Sequence, residues 1–136
     1  MATGTLAVAM LAALAVVAAR HAFADLLALQ GRTAIRTADR NPAALGPGDW
    51  ARAQSRLERA LRLDPGEPAI AEDAGRLHEL RARVAPGPDP KSELSRALGY
   101  FRDSLAHRPT SPYTWANLAI VKSGLGEFDA ELRGAI

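Results

Sequence analysis

The chain has 136 residues, 48% hydrophobic, 24% charged and 5% aromatic, with 17 Lys+Arg against 15 Asp+Glu. That length holds one domain, or an anchor and a small domain, and excludes a multidomain enzyme. A net charge of +2 lacks the basic field of a nucleic-acid binder, and the absence of cysteine excludes disulfides, thiolate metal sites and cysteine nucleophiles.

Alanine supplies 29 residues, a strong bias toward helix, while β-branched and aromatic residues are too sparse for a sheet-rich core. The fold class is therefore all-α. Residues 1–19 carry no ionisable side chain, and the apolar run from Gly4 to Ala19 counts sixteen residues. A spanning helix needs roughly 17–25, a shortfall that bilayer thinning and snorkelling of Arg20 can absorb. Three readings of this run compete. It is a transmembrane anchor, a signal segment cleaved after Ala22-Phe23-Ala24, or a buried helix of a soluble protein. The first expects a single pass with the basic C-terminal flank on the cytoplasmic side.

Helical spacing continues through Phe23, Leu26, Leu27 and Gln30 to Asn41-Pro42, where the residue before proline leaves the helical region. Arg32, Arg36 and Arg40 fall four apart and form a stripe, read as a solvated face or as a set attracted to anionic headgroups. The remaining helices are expected at 50–63, 68–83, 91–107, 112–125 and 128–136, after a first helix at 5–39. Asp49, Asp89-Pro90 and Ser111-Pro112 supply the helix starts.

A repeat emerges from spacing. Ala53, Leu57, Ala60 and Pro65 are matched 44 residues later by Ala97, Phe101, Ser104 and Pro109. Gly48-Asp49-Trp50 begins 17 residues before Pro65, and Gly126-Glu127-Phe128 begins 17 residues after Pro109; the halves sum to 34. In these residues the chain resembles the tetratricopeptide repeat (TPR) family. The resemblance implies a short α-solenoid of helical hairpins, with glycine turns at Gly48 and Gly126, and with Leu57, Phe101 and Trp115 filling the layers between helices. The middle hairpin departs from the pattern. An excess around Ala85–Pro90 replaces its glycine turn, and Ala71 and Ala74 stand where larger side chains are usual, so loose packing is expected there. Glu131 takes a small-residue position, and Ile136 ends the chain in mid-helix, as in a truncated product.

The expected organisation is an anchor or signal segment at 1–24, a juxtamembrane helix and linker at 25–47, and repeats at 48–136. No catalytic, cofactor or metal site is expected. His21, His78 and His107 lack companions at metal spacing and are read as surface or groove residues, and Ser104 and His107 merely share a helix face. Arg52, Arg56, Arg59 and Arg62 read as a solvated convex face, because Glu58 interrupts them and no aromatic interleaves for stacking.

The resemblance implies a groove lined by first helices, with Glu72, Asp73, Arg76 and Glu79 from one hairpin and Tyr113, Asn117 and Ile120 from the next. Its three carboxylates would favour a basic or neutral protein or peptide segment as partner. The expected function is a membrane-anchored protein-interaction scaffold without enzyme activity or nucleic-acid binding. The run Ser111–Ala119 also resembles anchored repeat proteins of bacterial exopolysaccharide and exosortase systems. That resemblance implies a place at the inner membrane in envelope polysaccharide synthesis or export. The alternative is an exported, soluble periplasmic binding module.

Overall fold

The structure, a computed structural model, describes the backbone of residues 2–84 and 89–135 and the side chains of 6–84 and 89–134. Among the described residues it is all-helical: α1 (Ala2–Arg40), a 3-10 turn (Pro42–Ala44), α2 (Pro47–Leu63), α3 (Pro68–Val84), α4 (Pro90–His107), α5 (Pro112–Leu125) and α6 (Ala130–Ala135).

Local chemistry sets these starts. Asp89 accepts the Ser92 N–H at 2.9 Å and Ser111 accepts the Thr114 N–H at 3.4 Å, each just ahead of a proline at the first helical position. Helix α2 departs from the expected start at residue 50. Pro47 opens it, and Asp49 reaches back to accept the Gly46 N–H at 2.9 Å, so the helix begins three residues earlier. Gly48 consequently lies inside a helical turn, and the reversal belongs to Asn41–Gly46 instead. Gly126 does form the expected left-handed turn, at φ 76°. Part of the excess segment, Ala85–Pro88, and the terminal Ile136 lie outside the described residues.

Contacts fix the helix directions. Arg20 donates to the Leu63 carbonyl, and Gly31 faces Leu57, so α1 and α2 run antiparallel. His78 with Glu93 and Gly75 with Phe101 make α3 and α4 antiparallel too. Arg32 with Asp73 and Asp39 with Arg76 make α1 and α3 parallel neighbours.

The two hairpins recur with one offset. A Cβ on Gly31 would come within 2.6 Å of Leu57 Cγ, and one on Gly75 within 2.6 Å of Phe101 Cε1. Both members of the second pair lie 44 residues after those of the first. The helix ends Arg40 and Leu63 recur the same way as Val84 and His107, and Pro68 recurs as Pro112 at the start of α5. The backbone leaves α2 at Asp64 with φ −137° and ψ 77°, and leaves α4 at Arg108 with φ −140° and ψ 71°. The 44-residue recurrence thus includes the first helices, which the sequence spacing had not linked.

The last residue of the segment read as anchor or signal, Ala24, and the segment 25–47 read as juxtamembrane helix and linker hold part of the core. Ala24, Ala28, Ile35 and Ala38 are buried with Trp50, Leu57, Ile70 and Leu77 from α2 and α3. The middle hairpin is close-packed, contrary to the expected looseness. Phe101 is fully buried against Gly75, with Ala71 and Ala74 buried beside it on α3. His78 is also buried, bonded to Glu93 at 2.7 Å and stacked on Tyr100, and is therefore neither a surface nor a groove residue. Leu98, Phe101 and Leu105 of α4 form a second core cluster with Leu118 and Val121 of α5, while Trp115 is half-buried and donates to the Pro109 carbonyl at 2.7 Å.

Helix α6 is held by charge. Buried Lys122 donates to Asp129 and Glu131 at 2.7 Å each, and Arg102 adds a second cation to Glu131 at 2.6 Å. Hydrogen bonds from Arg102 and Lys122 pull the Glu131 carboxyl down to about 2.

Candidate interaction face along α1, α3 and α5

The seven expected groove residues divide into two groups. Glu72, Asp73, Arg76 and Glu79 lie within one turn or two of each other on α3, and each is engaged by a side chain of this same protein. Arg32 Nε donates to Asp73 at 2.5 Å, and Arg76 donates to Asp39 at 2.8 Å and to Glu79 at 2.6 Å. Glu72 accepts from Arg108 and, at 3.1 Å, from the Thr114 hydroxyl. Arg83 also donates to Glu79. These bonds form a polar seam that ties α3 to α1 on one side and to α5 on the other.

The seam changes the expected electrostatics. Glu79 is fully buried beneath its two arginines, so it is a structural anion and not a surface contact. Glu72 and Asp73 are likewise matched by Arg108 and Arg32. Each of the three carboxylates expected to favour a basic ligand is thus paired with an arginine of this same chain. Burial pushes the Asp73 carboxyl up to about 6, against the opposing pull of Arg32.

Tyr113, Asn117 and Ile120 are placed differently. At i, i+4 and i+7 they share a face of α5; Tyr113 is 77% exposed, Ile120 47% exposed, and Asn117 half-buried. Thr114, next to Tyr113, bonds Glu72, which puts this face beside the polar seam. On α1, Leu29 and Arg36 are exposed on either side of Arg32 in the sequence, three and four residues away. The exposed face of α5 is thus aromatic and aliphatic at Tyr113 and Ile120, and it lies beside α3 carboxylates that are already paired.

Sequence reasoning missed Arg32, Asp39, Arg108 and Thr114 as members of the seam. Their partners are 36 to 42 residues away, so no local spacing reveals them. Among the described residues no three His, Asp or Glu side chains converge as a metal set. Ser104 is buried and His107 exposed, so their common helix face does not make them a pair. Among the described residues, α1 is the one helix long and apolar enough to cross a membrane, with an 18-residue window of mean hydropathy 2.0 and none of that window buried. No family model and no curated protein matches the chain.

Proposed function

We propose that this protein is a helical interaction scaffold tethered to a membrane by residues 4–19. The observation that carries the reading is the division of α1: its front half is apolar and bare, and its rear half is built into the core of the domain without a break in the helix. A bare run of Leu, Val, Met and Ala belongs in a bilayer, where its backbone bonds are satisfied internally. The 44-residue recurrence of the hairpins supports a repeat architecture, whose role is to present a surface. The likeness of Ser111–Ala119 to exopolysaccharide-system proteins is the support for a bacterial envelope setting.

The surface offered is the exposed face of α5. Tyr113 supplies a stacking platform, Asn117 an amide that donates and accepts, and Ile120 an apolar contact, a combination suited to an extended peptide or partner segment. A photoreactive residue at Asn117 should capture a discrete partner in membranes, and one at Arg56 on α2 should not. Equal capture from both positions removes the assignment of this face.

The tether has its own test. Leu11→Arg puts a charge near the centre of the run, costing about 2.5–3.5 kcal/mol on insertion scales. The variant should be released by alkaline extraction that leaves the parent in the membrane. Equal resistance in the two proteins contradicts the tether.

One observation favours the alternative, an exported soluble module. Ala24 precedes Pro68 and Pro112 by 44 and 88 residues, so cleavage after Ala24 leaves a first hairpin one residue shorter than the second. Against it, Arg20 and Phe23 already engage Leu63 and Arg59 of α2, and His21 engages Asp64 just beyond it, contacts that cleavage discards.

A further inference from the structure

We infer that the end of the α1–α2 hairpin is a binding site for an anionic phospholipid of the bilayer that holds the tether. The inference rests on the tether proposed above. Val16, Ala19, Phe23 and Leu63, with the stem of Arg20, line an almost wholly apolar cleft of about 450 Å³. The cleft opens where the uncharged run of α1 ends, at the first ionisable residue of the chain. Phe23 lies three residues past Arg20, about 4.5 Å along an unbroken helix at 1.5 Å per residue. The polar layer on each side of a bilayer is about 5–7 Å deep, so Arg20 to Phe23 fall within it when residues 4–19 span the hydrocarbon.

Three guanidinium groups belong to this end. Arg20 uses one nitrogen on the Leu63 carbonyl at 3.1 Å, which leaves further N–H donors of its planar fork for a phosphate. Arg59 lies over the Phe23 ring, 5.4 Å from its centroid. Arg62 is exposed and follows Arg59 by three residues, on the same side of α2. Asp64, the next carboxylate along the chain, is occupied by His21. An acyl chain against Phe23 and Val16, with its phosphate among Arg20, Arg59 and Arg62, matches both the apolar lining and the basic rim.

The same geometry removes the other basic stripe from contention. Arg36 and Arg40 stand about 24 and 30 Å beyond Arg20 along α1, several Debye lengths from headgroups at the level of Arg20. They serve as the control.

The test uses the full chain in dodecyl maltoside micelles with equal amounts of phosphatidylglycerol and phosphatidylcholine, and native mass spectrometry to count bound lipids. The parent should retain phosphatidylglycerol in preference. Arg59→Gln with Arg62→Gln should cut that preference by about fivefold for each arginine removed, the factor that corresponds to one basic residue near a charged surface. Arg36→Gln with Arg40→Gln should leave it unchanged, and matching helical ellipticity confirms that all three proteins are folded. Flotation of the parent with pure phosphatidylcholine vesicles reads the tether separately. Flotation without a phosphatidylglycerol preference, or with a preference that the 59/62 pair does not move, overturns the lipid site and leaves the tether standing. Failure to float overturns the tether and the site with it.

Discussion

Hairpin α1–α2 and hairpin α3–α4 share an offset of 44 residues, their helix ends, and a glycine that receives a large side chain from the following helix. They differ in what precedes them. Helix α3 starts at Pro68, whereas α1 passes the equivalent position, Ala24, as the continuation of a helix that began at Ala2. The shared features are those that pack the domain, and the unshared one is the bare apolar half-helix. The packing half of α1 and its bare half, the proposed tether, are therefore distinct stretches of a single helix.

The largest effects should come from the equivalent buried side chains. Truncating Phe101 to alanine should cost about 3–5 kcal/mol and truncating Leu57 about 2–5 kcal/mol, because both are fully buried. Thermal melting at 222 nm should show both variants well below the parent, and Trp115→Ala less affected, since Trp115 is only half-buried. If Leu57→Ala melts with the parent, the first hairpin is not the packing equivalent of the second.

The glycines give a smaller effect and a change of sign. Alanine at Gly31 or Gly75 gains about 1 kcal/mol of helix propensity but forces Leu57 or Phe101 aside, an overpacking cost of about 1–3 kcal/mol. Both variants should be destabilised or neutral. Gly99 is exposed in α4 with nothing near its missing Cβ, so Gly99→Ala should stabilise by about 0.5–1 kcal/mol. Denaturant midpoints measure all three, and stabilisation at Gly31 and Gly75 equal to that at Gly99 contradicts the close approach of the hairpin helices.

An effect of comparable size is a pH slope at the seam between the hairpins. Asp73 titrates at about 6 in the fold, above its ordinary 3.8, so the folded state holds this proton more tightly than the unfolded chain. Its contribution to stability is complete below the ordinary value and is lost as pH rises through about 6. The loss should be of order 1 kcal/mol, because the carboxylate keeps a fifth of its surface in water. Asp73→Asn should flatten the parent's decline in melting temperature between pH 4.5 and 7.5. An unchanged slope assigns the decline to other groups.

Much of the fold was legible because the helix starts are written in local chemistry. Asp89-Pro90 and Ser111-Pro112 begin α4 and α5 where the sequence places them, since a capping side chain and a proline act within one turn. Gly48 has the look of a turn glycine, but Pro47 and the Asp49 carboxylate start α2 at residue 47, three residues before the expected start. The second helices showed their recurrence through Leu57 and Phe101. The first helices hid theirs, because Gly31 and Gly75 have no side chain to mark the register. Of the candidate site, the exposed face of α5 follows from helical spacing alone. The seam does not, because Arg32, Asp39 and Arg108 meet their partners only once the helices lie side by side.

Whether one helix both tethers and packs is tested most directly by the mass of the chain recovered from cells. The tethered scaffold requires the membrane fraction to hold a chain that retains residues 1–24, with Arg20 and Phe23 still joined to α2 and His21 to Asp64. A chain beginning at Asp25 and recovered in the soluble fraction contradicts it, and leaves two equivalent hairpins with no tether.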